Sequence, residues 1–361
     1  DLACLDAKKP VSLLGKWLPS VNASDENTVK CAKRIAGFLG MSDAQYRKTL
    51  TTLRAELRII ENNLRERDYT FDYAKQPSRA MFKYRQAFFR NDKERYLDFM
   101  NSVSNGEATM HADNVSPYEL VESCLHDFRW HIGYCVKELS ESEEKALNAT
   151  WDSLPDYGGN ENVLAVIDTS GSMYSCFNPM PASVALSLGL YFAGRNTGIF
   201  RNHFIEFSAK PQLIELKGET FTDQLRYVAS FNEVANTNLE AVFDMILDTA
   251  VKNKVSQEEL PSKLVIISDM EFDECVENAG LSNFENAKKK YETYGYTLPE
   301  IVFWNVESRN RQQPVTMNEQ GVALVSGVTP RLFAMVAGGT LSPYAFMTDT
   351  LYNERYACIT A

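Results

Sequence analysis

No apolar run in this 361-residue chain reaches the ~18–20 residues that a helix needs to cross a bilayer, so a membrane-spanning helix is excluded. The opening Asp1-Leu-Ala-Cys-Leu-Asp-Ala-Lys-Lys lacks the basic-then-apolar order of a secretory leader. It also lacks an initiator Met, which leaves room for residues upstream. The seven cysteines (Cys4, Cys31, Cys124, Cys135, Cys176, Cys275 and Cys358) are odd in number, scattered, and form no C-x-x-C. Reduced thiols in a cytoplasmic compartment are expected, rather than a disulfide framework or a zinc site. There are only four histidines, and His126 and His131 stand five apart, which is not a facing pair on a helix. No P-loop, no nucleophile elbow and no paired His/acid motif is present, so the chain is expected not to be an enzyme.

What is present is an ordinary globular composition, 44% hydrophobic, in a length that suits two domains. The net charge of −11 is uneven. Residues 1–150 hold 22 Lys+Arg against 22 Asp+Glu, while residues 151–361 hold 15 against 26. Within the first half, residues 33–95 carry 15 basic against 8 acidic side chains. An acidic half joined to one with a basic segment does not read as one uniform surface.

Residues 1–152 read as an all-α domain. Val29, Ala32, Ile35, Ala36 and Leu39 form a helical stripe that Gly40 closes. Ser42-Asp-Ala-Gln45 is a capping-box pattern, expected to open one long helix through Leu50, Leu57, Ile60 and Leu64. Further helices are expected from Ser78, from Asp92 and within Tyr118–Leu147. The turn-forming stretch Ser153-Leu-Pro-Asp-Tyr-Gly-Gly-Asn160 marks a boundary.

Residues 160–361 alternate. Strands are expected at Val163–Ile167, His203–Phe207, Gln212–Leu216, Lys263–Ser268, Glu300–Asn305 and Gly321–Val325, with helical patterns between most of them. Such alternation implies an α/β domain with a parallel sheet covered on both faces. Only Ser208-Ala-Lys-Pro211 separates the second and third strands, too short for a parallel crossover, so these two pair as a hairpin at an antiparallel edge.

The first strand ends in Asp168-Thr-Ser170-Gly-Ser172. A carboxylate and two hydroxyls in one tight loop, at the strand end where open α/β sheets bind ligands, suit a hard divalent ion. Other loops at the same rim add oxygens. Thr237 precedes the helix Leu239–Val251, and Asp269 follows the strand Lys263–Ser268. Glu271, Asp273 and Glu274 read either as a solvated acidic loop or as modulators of the site. D-x-S-x-S alone arises often by chance; the three elements after the right strands, in the right order, are much harder to dismiss.

At this point the sequence resembles the von Willebrand factor A (vWA) domain with its metal-ion-dependent adhesion site (MIDAS), a Rossmann-like fold. The resemblance implies Ser170, Ser172 and Thr237 as direct hydroxyl ligands, with Asp168 and Asp269 acting directly or through water. It implies Mg²⁺, or another divalent cation such as Mn²⁺ or Ca²⁺, with one position left for an acidic group of a protein partner. The pairing of a helical-repeat-like domain with a vWA domain also resembles the TROVE/Ro autoantigen architecture, which binds RNA. Longer phrases are similar to an uncharacterised helical-plus-vWA family that is itself TROVE-like, among them Leu13-Leu-Gly-Lys-Trp-Leu-Pro-Ser20, Ser268-Asp-Met-Glu-Phe272 and Pro299-Glu-Ile-Val-Phe-Trp-Asn305.

The segment Ser78–Arg90 interleaves cations with aromatics, with Arg79, Lys83 and Arg90 near one helical face and Arg85 among them. Phe82 and Phe89, with Ala80 or Ala87, are expected to face the core. Cations that track phosphates and aromatics that stack on bases would suit small structured or single-stranded RNA, although an amphipathic helix with a solvated basic side has the same pattern. The leading expectation is a non-enzymatic, cytoplasmic binding protein with a Mg²⁺-dependent site and an RNA-binding helical half. The alternative is a metal-dependent protein-interaction adaptor without RNA.

Overall fold

The computed structural model describes residues 1–57, 59–126, 136–156, 162–174, 179–207, 210–231, 238–269, 279–307, 322–338, 341–354 and 357. The chain forms two compact units, Asp1–Phe99 and Met100–Ala361.

The first unit is helical, with α1 (Leu2–Asp6), α2 (Leu14–Trp17), α3 (Glu26–Phe38), α4 (Asp43–Glu56), α5 (Ile60–Glu66) and α6 (Ser78–Asn91), followed by the start of α7 (Lys93–Ser104). The caps decide where these helices begin. The Asp25 carboxylate accepts the Thr28 amide at 2.6 Å, and Ser42 and Gln45 close the expected capping box of α4. Ala32 and Ala36 of α3 pack against Tyr46, Leu50 and Leu53 of α4, burying the apolar stripes read from the sequence.

The long helix expected from Asp43 through Leu64 is two helices. Leu57 turns extended (φ −78°, ψ 131°), and the Asn62 amide group donates to the carbonyls of Arg54 at 2.7 Å and Leu57 at 2.6 Å. One side chain thereby satisfies acceptors left open at the end of α4, so the break is stable despite a continuous apolar period. In α6 the core face also differs from expectation. Ser78, Met81 and Phe88 are buried, whereas Phe82 and Phe89 are only half-buried. The aromatics around it choose this face: Phe88 meets Tyr73 at 5.2 Å, Tyr96 at 5.3 Å and Phe71 at 6.1 Å.

The second unit is built on a six-stranded sheet of β1 (Val163–Asp168), β2 (His203–Phe207), β3 (Gln212–Glu215), β4 (Lys263–Ser268), β5 (Glu300–Asn305) and β6 (Val322–Ser326), in the order β3-β2-β1-β4-β5-β6. All neighbours are parallel except β2 and β3, which pair antiparallel as the short connection required. Every residue of β1 and β4 is buried, the signature of central strands covered on both faces.

The helices of this unit are α8 (Pro117–Cys124), α9 (Glu141–Asp152), α10 (Pro181–Arg195), α11 (Phe221–Val228), α12 (Leu239–Asn253), α13 (Ala279–Thr293), α14 (Pro330–Ala337) and α15 (Pro343–Leu351). On one face Val242, Phe243, Ile246 and Leu247 of α12 and Tyr291 of α13 pack on Leu164, Val166, Ile205, Leu264 and Ile266. On the other face lies α10, buried at every position from Pro181 to Ala193. A helix apolar all round needs cover on both sides; the sheet supplies one and α8 the other. Similarly α9 packs on α11, with the Trp151 and Phe221 rings stacked 4.2 Å apart and the Thr222 amide donating to Asn148 Oδ1 at 3.0 Å. Among the described residues no helix is long and apolar enough to cross a membrane.

Candidate metal centre

The parallel register brings the ends of β1 and β4 side by side, with Ile167 opposite Ile267. Asp168 is therefore flanked by Ser268, whose hydroxyl donates to Asp168 Oδ2 at 2.6 Å. The other carboxylate oxygen, Oδ1, accepts the Ser170 amide at 2.8 Å, a local turn that folds the loop back over the strand end. A single 3₁₀ turn, Gly171–Tyr174, follows and is anchored by the fully buried Met173. It places the Ser170 and Ser172 hydroxyl oxygens 3.1 Å apart.

Asp269 follows β4 directly, so it stands on the same rim as Asp168, and both are about 1% exposed. Burial pushes the Asp168 carboxyl up to about 6. Hydrogen bonds from Ser268 and Ser170 pull it down, and the charge of Asp269 pushes it up. The structure thus brings together Asp168, Ser170, Ser172 and Asp269 from two loops. Thr237, Glu271, Asp273 and Glu274 lie outside the described residues, although Asn238 is described and caps α12, its side chain accepting the Ala241 amide at 3.1 Å. Sequence reasoning missed Ser268. Its contact with Asp168 follows only from register, since the two are 100 positions apart.

Chemically, the rim gathers buried carboxylates and the part-exposed hydroxyls of Ser170 and Ser172, all of them hard oxygen donors. Two carboxylates held out of water close together are costly unless a cation or a proton compensates them. Among the described residues no group of three or more His, Cys, Asp or Glu side chains is arranged to hold a metal. Any ion here would depend on hydroxyl ligands, a set that fits Mg²⁺ or Mn²⁺ better than Zn²⁺.

Residues 162–342, half of the chain and including this rim, match the domain of unknown function DUF7788. The chain belongs to the DUF7788 family. Residues 1–156 match a second domain of unknown function, DUF2828. The two matches divide between residues 156 and 162, whereas α8 packs on α10 and α9 on α11, so both helices belong to the compact unit that contains the sheet. An uncharacterized protein of Acanthamoeba polyphaga mimivirus is 28% identical over 350 residues, which is 91% of this chain and 58% of that protein. The chain thus spans little more than half the length of that relative. The crystal structure of the Deinococcus radiodurans Ro (RSR) protein aligns with 90% of this chain and 65% of its own at a TM-score of 0.46 and 15% identity. A likeness that loose bears on neither the site nor its chemistry.

The cationic segment lies on α6. Arg79, Lys83 and Arg90 are exposed on its outer side. Arg85 does not share that surface: its guanidinium lies 4.1 Å from the centre of the Phe82 ring and donates to the Phe82 carbonyl at 2.8 Å. Phe89 meets Tyr96 edge-on at 5.0 Å. The aromatics of this segment are therefore engaged within the helical unit, and what α6 presents outward is charge.

Proposed function

We propose that this chain is a non-enzymatic binding protein whose sheet unit is a vWA-type domain holding a divalent cation, Mg²⁺ foremost. Ser170, Ser172 and Thr237 would be its hydroxyl ligands, and Asp168 and Asp269 its carboxylates, acting directly or through water. The observation that carries this reading is the meeting of two buried carboxylates at adjacent strand ends with two hydroxyls 3.1 Å apart. Both oxygens of Asp168 already accept protein donors, which favours its action through a metal-bound water. With mostly neutral direct ligands the ion stays electrophilic and would capture an acidic group of a protein partner. The same neutrality argues against hydrolysis, because two-metal hydrolytic sites clamp their ions with several carboxylates.

The test is Mn²⁺ or Mg²⁺ titration of the full chain. One equivalent should bind, Asp168→Ala should abolish binding, and far-UV circular dichroism should be retained. Equal heat and equal thermal stability in Mg²⁺ and in chelator would remove the ion from the mechanism.

For the helical unit we propose RNA binding through phosphate contacts. Residues 1–99 hold 19 Lys+Arg against 13 Asp+Glu, while residues 100–361 hold 18 against 35. The cationic face of α6 therefore sits on the unit of the chain that attracts a polyanion. Retention of small structured or single-stranded RNA at low salt tests this. Its absence would leave the adaptor reading, in which the metal rim alone meets the partner.

A further inference from the structure

The helix that follows the metal loop begins without a cap of its own. Met180 occupies the N-cap position of α10 and makes no side-chain cap hydrogen bond, and Pro181 follows at the first helical position. The missing acceptor comes from elsewhere in the unit. On α8, Glu122 accepts the Met180 amide at 3.0 Å and the Ser183 hydroxyl at 2.9 Å, both at Oε1. A carboxylate at this place satisfies open N-terminal donors and also offsets the roughly half-unit positive charge that a helix start carries.

The helix itself is tied to the candidate metal loop. The 3₁₀ turn that carries Ser172 packs on α10. Further along, Gly189 lets α10 approach β1 so closely that a Cβ at this position would lie 3.0 Å from Ile167 Cγ2, one residue before Asp168. Displacing α10 therefore displaces both arms of the loop. A cation near the start of this 15-residue helix, where burial leaves little water to screen it, would also feel repulsion from its dipole.

We infer that Glu122 is a positioning and counter-charge residue for the metal loop, holding the start of α10 in place and neutralising it so that a divalent cation is tolerated beside it. This rests on the metal-site reading above and extends it, because Glu122 lies within residues 1–156, the stretch matched to DUF2828, outside the DUF7788 match that contains the loop. The binding unit would then draw on both stretches.

The experiment is Mn²⁺ titration of the full chain, followed by electron paramagnetic resonance at low and high salt, with thermal unfolding in chelator alongside. Glu122→Gln keeps an oxygen that accepts the same hydrogen bonds but removes the charge. It should weaken Mn²⁺ about three- to tenfold at low salt, with the gap narrowing at high salt and the chelator melting temperature unchanged. Glu122→Ala should weaken it further and lower the melting temperature. Unchanged Mn²⁺ affinity in Glu122→Gln overturns the inference, as does a loss that is independent of salt and matched by lost stability. Failure of the metal-site reading itself would show in the unaltered chain, as no Mn²⁺ uptake, and would take this inference with it.

Discussion

Ser268 donates a 2.6 Å hydrogen bond to the carboxylate of Asp168 across the junction of two parallel strands. Both groups are buried, so the bond works where water cannot replace it. Removing the hydroxyl with Ser268→Ala leaves a buried carboxylate oxygen short of a donor, at a cost of about 1–3 kcal/mol. Urea unfolding in chelator should show that loss. Added Mg²⁺ should recover part of it, because the cation supplies the compensation that the hydroxyl gave.

The raised Asp168 carboxyl sets a pH dependence whose sign can be worked out. Its folded value of about 6 lies above the ordinary 3.8, so the folded chain binds a proton that the unfolded chain has released. Its contribution therefore favours folding at low pH and is lost as pH rises from about 4 to about 6, with a total on the order of 3 kcal/mol. Other carboxylates add their own slopes, so the comparison is with Asp168→Asn. In chelator, the difference in stability between the two proteins should grow across this window and stay constant above it. Saturating Mg²⁺ should shrink the difference at pH 7, and a difference that does not change with pH would contradict the assignment.

Glycine at 189 is required by the approach of α10 to β1. A Cβ there would meet Ile167 Cγ2 at 3.0 Å, closer than nearly all packed side chains come. Gly189→Ala should cost about 1–3 kcal/mol through overpacking, despite the better helix propensity of alanine. A gain in melting temperature would mean that the helix and strand yield freely at this point.

Charge on α6 predicts how RNA binding should respond to mutation. Reversing Arg79, Lys83 and Arg90 to Glu should weaken RNA retention strongly and flatten its dependence on salt, since fewer phosphates would be neutralised. Arg85→Glu should act differently, lowering the stability of the helical unit through loss of its cover over Phe82. Gel-shift titrations at two ionic strengths and a thermal melt separate the two effects. Equal retention in the triple reversal would end the RNA reading for this face.

Periodicity and loop length alone determined much of this molecule. The strands, the hairpin between β2 and β3, and the placement of Asp168 and Asp269 at the same sheet end all follow from local rules, because each depends on residues close together in the chain. The break after Leu57 was less legible. Apolar spacing continues through it, and the deciding group is a single Asn62 amide that caps α4 from the next helix. On α6 the adjacent Phe88 and Phe89 offer two core faces about 100° apart, and only packing against Tyr73 and Tyr96 chose between them. Tertiary structure alone decided that Ser268 would reach Asp168, and that α8 would cover α10 and lend it Glu122. Those contacts join residues roughly 60 to 100 positions apart, where register and helix packing determine who meets whom and no local pattern records it.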